Sequence, residues 1–227
     1  MRVIVTRPAI SAGQTAARLL ALGHLPILLP LTEAVHHPDA AIAALAVAHT
    51  AIAVTSAEAL RVLQPIGNAL QPHLDTRLFA VGEATAQAAR DAGFRDVVAG
   101  PGTGAELAEL IAGEAGEFES PLLYLAGRPR SQGFEQGLAE HGVGIRIIEC
   151  YEMRPIAYPQ PVDIAADAVL LYSREAARLF FELSVTDEQD LRIFCLSDNV
   201  ASAVPQRFHK NIKLAAQPDE EGIFALL

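Results

Sequence analysis

Along the chain, short apolar runs alternate with stretches in which apolar residues recur at i, i+3 and i+4. The runs predict strands over Arg2–Thr6, Pro26–Leu31, Ala51–Thr55, Leu78–Val81, Asp96–Ala99, Leu122–Ala126, Ile145–Tyr151, Ala168–Tyr172, Arg192–Leu196 and Ile212–Ala215. The stretches between them predict helices over Gly13–Leu22, Glu58–Leu63, Thr85–Ala92, Ala105–Ala112, Gln132–Glu140 and Glu175–Leu183. Gly23, Gly93 and Gly142 follow three of these, where a helix C-terminus favours glycine. Strand and helix in regular alternation is the pattern of βα units around parallel sheets, so the predicted class is α/β of a Rossmann-like or flavodoxin-like kind.

The two halves repeat one another in order. Ser56-Ala57-Glu58-Ala59 matches Ser173-Arg174-Glu175-Ala176, Gly82-Glu83-Ala84-Thr85-Ala86 matches Ser197-Asp198-Asn199-Val200-Ala201, Pro101 matches Pro218, and Arg7-Pro8 matches Arg128-Pro129. A duplication with two similar parallel-sheet lobes follows. Two segments, residues 31–38 and 149–155, continue a strand without a helix and then meet a proline, which favours an extended course. They read as two crossings between lobes, in effect a two-stranded β-connection. Two crossings make one lobe discontinuous: residues 1–35 with 155–227 form one domain and residues 38–150 the other, with a cleft between them. Two consecutive domains divided near Ser120 are the alternative.

Charge narrows the range of partners. The 227 residues carry 17 Lys+Arg against 27 Asp+Glu, a formal net charge of −10, and the only lysines are Lys210 and Lys213. Nothing here forms the basic stripe that displaces phosphate counterions, so nucleic acid is not an expected partner. The most apolar stretch, residues 40–54, includes His49 and Thr50 and falls short of the roughly 20 residues of a bilayer span. No membrane partner is expected, and with no export leader evident before the first strand the expected location is cytoplasmic. Cys150 and Cys195 sit in separate apolar runs with no C-x-x-C spacing, which fits buried free thiols in a reducing compartment.

Candidate chemistry concentrates where strands end and helices begin. There, free backbone N–H groups and the helix dipole attract anions, and the carboxyl edge of a parallel sheet is where ligands bind. These turns hold Thr6-Arg7-Pro8, Thr55-Ser56, Gly82-Glu83-Ala84-Thr85, Gly102-Thr103-Gly104, Gly127-Arg128-Pro129-Arg130 and Tyr172-Ser173. Plain N-capping, the commoner role of Ser and Thr at such positions, also accounts for their hydroxyl residues. Arg7, Arg128 and Arg130 suit bidentate pairing with ligand carboxylates, or stand as surface arginines. Tyr151, in the second crossing, is either a proton or hydrogen-bond donor into the cleft or an aromatic anchor at the junction. Phosphate-loop, serine-hydrolase and zinc-protease motifs are absent, and His36-His37 reads as solvated surface rather than a metal site. No metal or nucleotide cofactor is implied.

Taken together, Val5-Thr6-Arg7-Pro8, Val54-Thr55-Ser56-Ala57-Glu58-Ala59, Ala80-Val81-Gly82-Glu83-Ala84-Thr85-Ala86, Gly93-Phe94, Gly127-Arg128 and Val169-Leu170-Leu171-Tyr172-Ser173 resemble the uroporphyrinogen-III synthase family over essentially the whole chain. The resemblance implies a monomeric two-lobed α/β enzyme whose N-terminal segment completes the C-terminal lobe. It implies a cofactor-free lyase that cyclises hydroxymethylbilane, a linear tetrapyrrole polycarboxylate, losing water and inverting ring D through a spiro-pyrrolenine. Tyr151 then corresponds to the tyrosine proposed to assist departure of the hydroxyl. Ser56, Thr85 and Ser173 correspond to polar residues at helix N-termini whose backbone N–H groups hold substrate carboxylates, and the turns carrying Thr6, Arg7, Thr55, Gly82, Gly102, Gly127, Arg128, Arg130 and Tyr172 complete the expected substrate surface. The turn Ser197–Ala201 departs from the family's Gly-x-x-Thr-Ala pattern, with Val200 lacking a hydroxyl and Asp198 adding negative charge. This turn is not expected to bind substrate in the usual manner, and it motivates a rival reading as a catalytically silent tetrapyrrole- or polyanion-binding homologue.

Overall fold

The computed structural model describes residues 1–114, 116, 118–183 and 190–227. Their contacts divide into two compact units, one of Met1–Glu33 with Arg154–Leu227 and one of Ala34–Met153.

In the first unit, strands β1 (Arg2–Val5), β2 (Leu25–Leu28), β9 (Ala168–Leu171), β10 (Arg192–Cys195) and β11 (Ile212–Leu214) form a parallel sheet in the order β2-β1-β9-β10-β11. Helices α1 (Ala9–Ala21), α7 (Arg174–Glu182), α8 (Asp198–Ala201) and α9 (Glu220–Phe224) follow β1, β9, β10 and β11. Residues of β9 alternate between the two faces: Val169 and Leu171 pack with Ile4, Phe180 and Ile193, while Ala168 and Leu170 pack with Val3, Leu19 and Phe194. Burial on both faces explains why this strand reads as an unbroken apolar run rather than an alternating one.

The second unit carries β3 (Thr32–His36), β4 (Ile52–Val54), β5 (Leu78–Ala80), β6 (Val97–Ala99), β7 (Leu122–Arg128) and β8 (Ile145–Pro155) in the order β3-β8-β7-β4-β5-β6. Its helices are α2 (Pro38–Leu45), α3 (Ala57–Leu63), α4 (Glu83–Asp91), α5 (Gly104–Glu114) and α6 (Gln132–Glu140). The pairs β8/β7, β7/β4, β4/β5 and β5/β6 are all parallel. With β1 matched to β7, β2 to β8 and β9, β10 and β11 to β4, β5 and β6, the two sheets coincide over five strands, and β3 adds a sixth at the edge beside β8. Each set of five follows the flavodoxin-like 2-1-3-4-5 order, and the second unit is circularly permuted relative to the first. The order reverses between β1 and β9 in one unit and between β7 and β4 in the other. Those reversals are the switch points at which such sheets bind ligands.

All ten predicted strands and all six predicted helices are present. The first helix starts at Ala9 rather than Gly13, because Pro8 stands at its entrance and Pro needs no backbone donor there. Helix α2 escapes the periodicity because Pro38–Leu45 is apolar nearly all round and offers no amphipathic contrast. Helices α8 and α9 are too short for a periodic signal. Cys150 and Cys195 are free and buried. Among the described residues no helix is long and apolar enough to cross a membrane.

Candidate functional site

At the carboxyl end of β7 and β8 the register slips. Ala126 lies opposite Glu149, but Gly127 lies opposite Tyr151, leaving Cys150 as an extra residue in β8. Such a bulge re-aims the side chain that follows it. Without it, Cys150 and Tyr151 would face opposite sides of the sheet. Instead both pack into the same cluster, with Val54, Ala59, Leu60 and Leu125. The Tyr151 ring lies directly over Gly127: a β-carbon there would overlap its Cζ, Cε2 and Oη atoms. A strand glycine is what this close approach demands.

Two further residues fix the phenol. Ser56, extended at φ −157° and ψ 144°, caps α3 by accepting the Glu58 backbone N–H at 3.1 Å, and its side chain lies near enough to the Tyr151 phenol to favour its ionised form. Glu58 receives the His36 ring at 2.6 Å and pairs with Arg61. Beside them, Thr55 Oγ1 and the hydroxyl of buried Tyr124 share a hydrogen bond of 2.8 Å. Thr55, Ser56, Gly127 and Tyr151 are thus gathered at the β7/β4 switch point.

Burial governs the acidity of this group. Tyr151 is 7% exposed, and loss of hydration pushes its pKa up to about 12, with Ser56 opposing the shift and the nearby Tyr124, Cys150 and Glu58 adding to it. Tyr172 is likewise raised to about 12 by burial, and Tyr124 and Tyr158 are raised for the same reason. All four tyrosines therefore stay neutral donors at physiological pH. In the fold they hold protons that the unfolded chain releases from about pH 10. The corresponding stability is complete below pH 10 and is lost as the pH rises from 10 through about 12. Since the chain has no tryptophan, tyrosinate absorbance near 295 nm reads this directly. At pH 10, where about half the tyrosines of the denatured chain are ionised, the native protein is expected to show clearly less tyrosinate, with Tyr151 and Tyr172 contributing almost none, and equal half-ionisation in both would disprove the buried assignments.

The remaining second-unit turns are occupied differently. Gly82 and Gly102 approach one another closely, a β-carbon at Gly82 falling 3.3 Å from the Gly102 α-carbon, and Gly102 adopts φ +126°. Thr85 is buried in the first turn of α4, its backbone N–H bonded to the Gly82 carbonyl at 3.1 Å. Thr103 and Glu106 form a reciprocal capping box at the start of α5. Arg128 is held by Glu149 at 2.8 Å, and Arg130 by Glu135 at 3.2 Å with Glu149 at 3.9 Å. Both arginines keep large exposed areas despite these partners.

In the first unit, Thr6 is buried and donates to the Leu170 carbonyl at 2.8 Å, tying β1 to β9. Ser173 caps α7 by accepting the Ala176 N–H at 3.0 Å. Arg7 stacks over the Tyr172 ring, 4.5 Å from its centroid, and donates to Glu220 at 2.8 Å and Thr15 at 3.2 Å. The Tyr172 hydroxyl is buried without a standard hydrogen bond. At the divergent turn, Ser197 precedes α8 without a side-chain cap bond and Val200 is buried. Tyr124, Thr15, Glu149 and Glu220 were not foreseen. The Thr15/Arg18 spacing on one helix face was a usable signal, whereas Glu149 and Glu220 reach their arginines only through tertiary folding. No group of three or more His, Cys, Asp or Glu able to hold a metal occurs among the described residues.

Two parallel-dominated sheets that share a five-strand order, each with polar turns at its switch point, define an internally duplicated α/β protein. The model of the family described as uroporphyrinogen-III synthase HemD matches residues 13–225, and the chain belongs to that family. Membership places it among the cyclising, lyase-type enzymes of tetrapyrrole biosynthesis, which act on a small-molecule tetrapyrrole. Among solved structures, a uroporphyrinogen-III synthetase from Helicobacter pylori aligns with a TM-score of 0.68 at 17% identity, covering 100% of this chain and 98% of that one. A mutant uroporphyrinogen III synthase from the extremely thermophilic bacterium Thermus thermophilus aligns with a TM-score of 0.54 at 19% identity, covering 89% and 87%. At such identities these likenesses bear on the fold. No curated protein sequence matches significantly.

Proposed function

We propose that this chain is a hydro-lyase that closes hydroxymethylbilane to uroporphyrinogen III, with loss of water, inversion of ring D and no cofactor. The observation that supports this most is Tyr151, a neutral phenol lodged on Gly127 beside Ser56 at a sheet switch point. The reaction asks for little more. The terminal hydroxyl leaves as water with a proton supplied to it, and electrons from the adjoining pyrrole form an azafulvene. The substituted carbon of ring D attacks, and the resulting spiro-pyrrolenine reopens and recloses with the ring inverted. Final proton loss restores the pyrrole.

A phenol whose pKa is about 12 is a poor free acid at pH 7 but a good hydrogen-bond donor. Tyr151 therefore assists the leaving oxygen through a hydrogen bond that strengthens as the C–O bond breaks. That contribution belongs at the low end of general-acid effects, about 10²-fold. Positioning of the folded substrate supplies the rest. Substrate carboxylates fall to the backbone donors of the turns at Ser56, Gly82, Thr85, Gly102 and Ser173 and to Arg7, Arg128 and Arg130, since a chain with net charge −10 repels a polycarboxylate at long range. We place the chain in the cytoplasm as a monomer, with the free thiols Cys150 and Cys195 in keeping with a reducing compartment. Calorimetry with uroporphyrinogen III beside a turnover assay tests the reading. Binding together with catalysed type III formation is expected. Binding without turnover would mark a silent homologue instead.

A further inference from the structure

Glu220 sits in a set of donors that forms a complete receptor for a carboxylate. Its Oε1 accepts from Arg7 Nη1 and from Thr15 Oγ1, each at 2.8 Å, and its Oε2 lies 3.4 Å from Arg18 Nη1. Thr15 is fully buried, and its hydroxyl donates to Glu220 while accepting from Arg7 Nη1 at 3.2 Å. Arg7 is held flat over Tyr172 and Arg18 over Phe224, 4.5 and 4.2 Å from the ring centroids. Both guanidinium groups keep their orientation through ring contacts as well as through Glu220. Beside them lies the buried Tyr172 hydroxyl, a donor without a standard acceptor. Arg7 and Tyr172 follow β1 and β9 at their switch point, and Thr15 and Arg18 extend the set along one face of α1 to its last turn.

We infer that Arg7, Thr15 and Arg18 form a binding site for a ligand carboxylate, and that Glu220 fills it as a tethered competitor until the ligand exchanges in. The inference rests on the polycarboxylate substrate proposed above and adds to it a regulated subsite. Glu220 suits the part. It occupies the first position of the five-residue α9, its side chain is 30% exposed, and a rotamer change swings it into solvent without unseating Ile223 and Phe224 from the core. With Glu220 gone, Arg7 loses its carboxylate partner, and Arg18 keeps only the highly exposed Glu221, at 2.7 Å, as the incoming carboxylate arrives. The topologically equivalent arginine of the other sheet, Arg128, is likewise held by a carboxylate of its own chain, Glu149, at 2.8 Å. Holding an arginine in this way keeps it oriented and blocks stray anions that compete too weakly to displace the tethered carboxylate.

The test is affinity after removal of the competitor. Glu220→Ala is expected to bind uroporphyrinogen III, and benzenehexacarboxylate as a generic probe, about three- to tenfold more tightly than the unaltered chain, with KM for hydroxymethylbilane falling and kcat nearly unchanged. The gain should shrink as salt rises. Glu182→Ala removes the same charge from an exposed ion pair with Arg178 and should give less than a twofold change. Arg7→Gln combined with Glu220→Ala should abolish the gain. Glu220→Gln, which preserves size, guards against loss of folding and should show part of it. If affinity for both probes is unchanged or weaker in folded Glu220→Ala and Glu220→Gln, the pair is structural and the inference is wrong. This holds even if type III isomer forms normally. Failure of the unaltered chain to turn over hydroxymethylbilane would overturn the proposed function instead, and the benzenehexacarboxylate comparison would still decide the receptor.

Discussion

Tyr151→Phe is expected to slow formation of the type III isomer about 10²-fold while lowering stability by only ~1 kcal/mol. The two effects separate because the ring and the hydroxyl do different work. The ring fills the space above Gly127 and packs with Leu60 and Leu125, and phenylalanine keeps all of that. The hydroxyl meets Ser56, which retains the Glu58 N–H when the phenol is gone and so is not left unpaired. Only the donor to the leaving oxygen is lost. Initial rates at saturating substrate, with urea unfolding of both proteins, check the pair of values. A variant with full activity would remove Tyr151 from the chemistry. A variant unstable by several kcal/mol would make the residue an anchor.

Gly127→Ala should damage both quantities. The new methyl would occupy the volume of Tyr151 Cζ, Cε2 and Oη, and the ring cannot withdraw freely because the same cluster holds it on the other side. Overpacking of this kind costs about 1–3 kcal/mol. The phenol must shift by an ångström or more, and a displacement of that order in a reacting group costs about 10²-fold in rate. The diagnostic is coupling. Once Tyr151 is already phenylalanine, adding Gly127→Ala should cost little further activity, because the group it displaces is no longer a donor. Independent, multiplicative losses in the double variant would show that Gly127 acts on the reaction by some other route.

What was legible in the sequence was what neighbouring residues encode. Apolar runs such as Ala168–Leu171 declared themselves as buried strands, and the Ser56 and Ser173 caps announced helix starts. The resemblance of the Arg7-Pro8 and Arg128-Pro129 turns carried more than local structure, since both stand at the ends of matching strands, β1 and β7, in the five-strand order that the sheets share. Hidden were features that depend on one-residue shifts or on distant partners. The bulge at Cys150 is not singled out in a strand whose apolar residues already fall in two adjacent pairs, Ile147-Ile148 and Cys150-Tyr151, yet it decides that Tyr151 lies beside Ser56. Arg7, read as a ligand for substrate carboxylates, is found on Glu220, a residue 213 positions away that no local pattern connects to it. Helix α2 was missed for the opposite reason, because uniform apolarity erases the periodic signal that betrays an amphipathic helix.

The central claim is that the chain directs ring closure to the inverted isomer, and the isomer ratio from a single pool of substrate tests it most directly. Hydroxymethylbilane generated enzymatically in the assay closes on its own to the type I product, so each reaction carries its own reference. With the chain present at catalytic concentration, oxidation and chromatographic separation should show type III as the main product. Tyr151→Phe at the same concentration should return the mixture most of the way towards type I. If the type I product predominates equally with and without the unaltered chain, the account is contradicted.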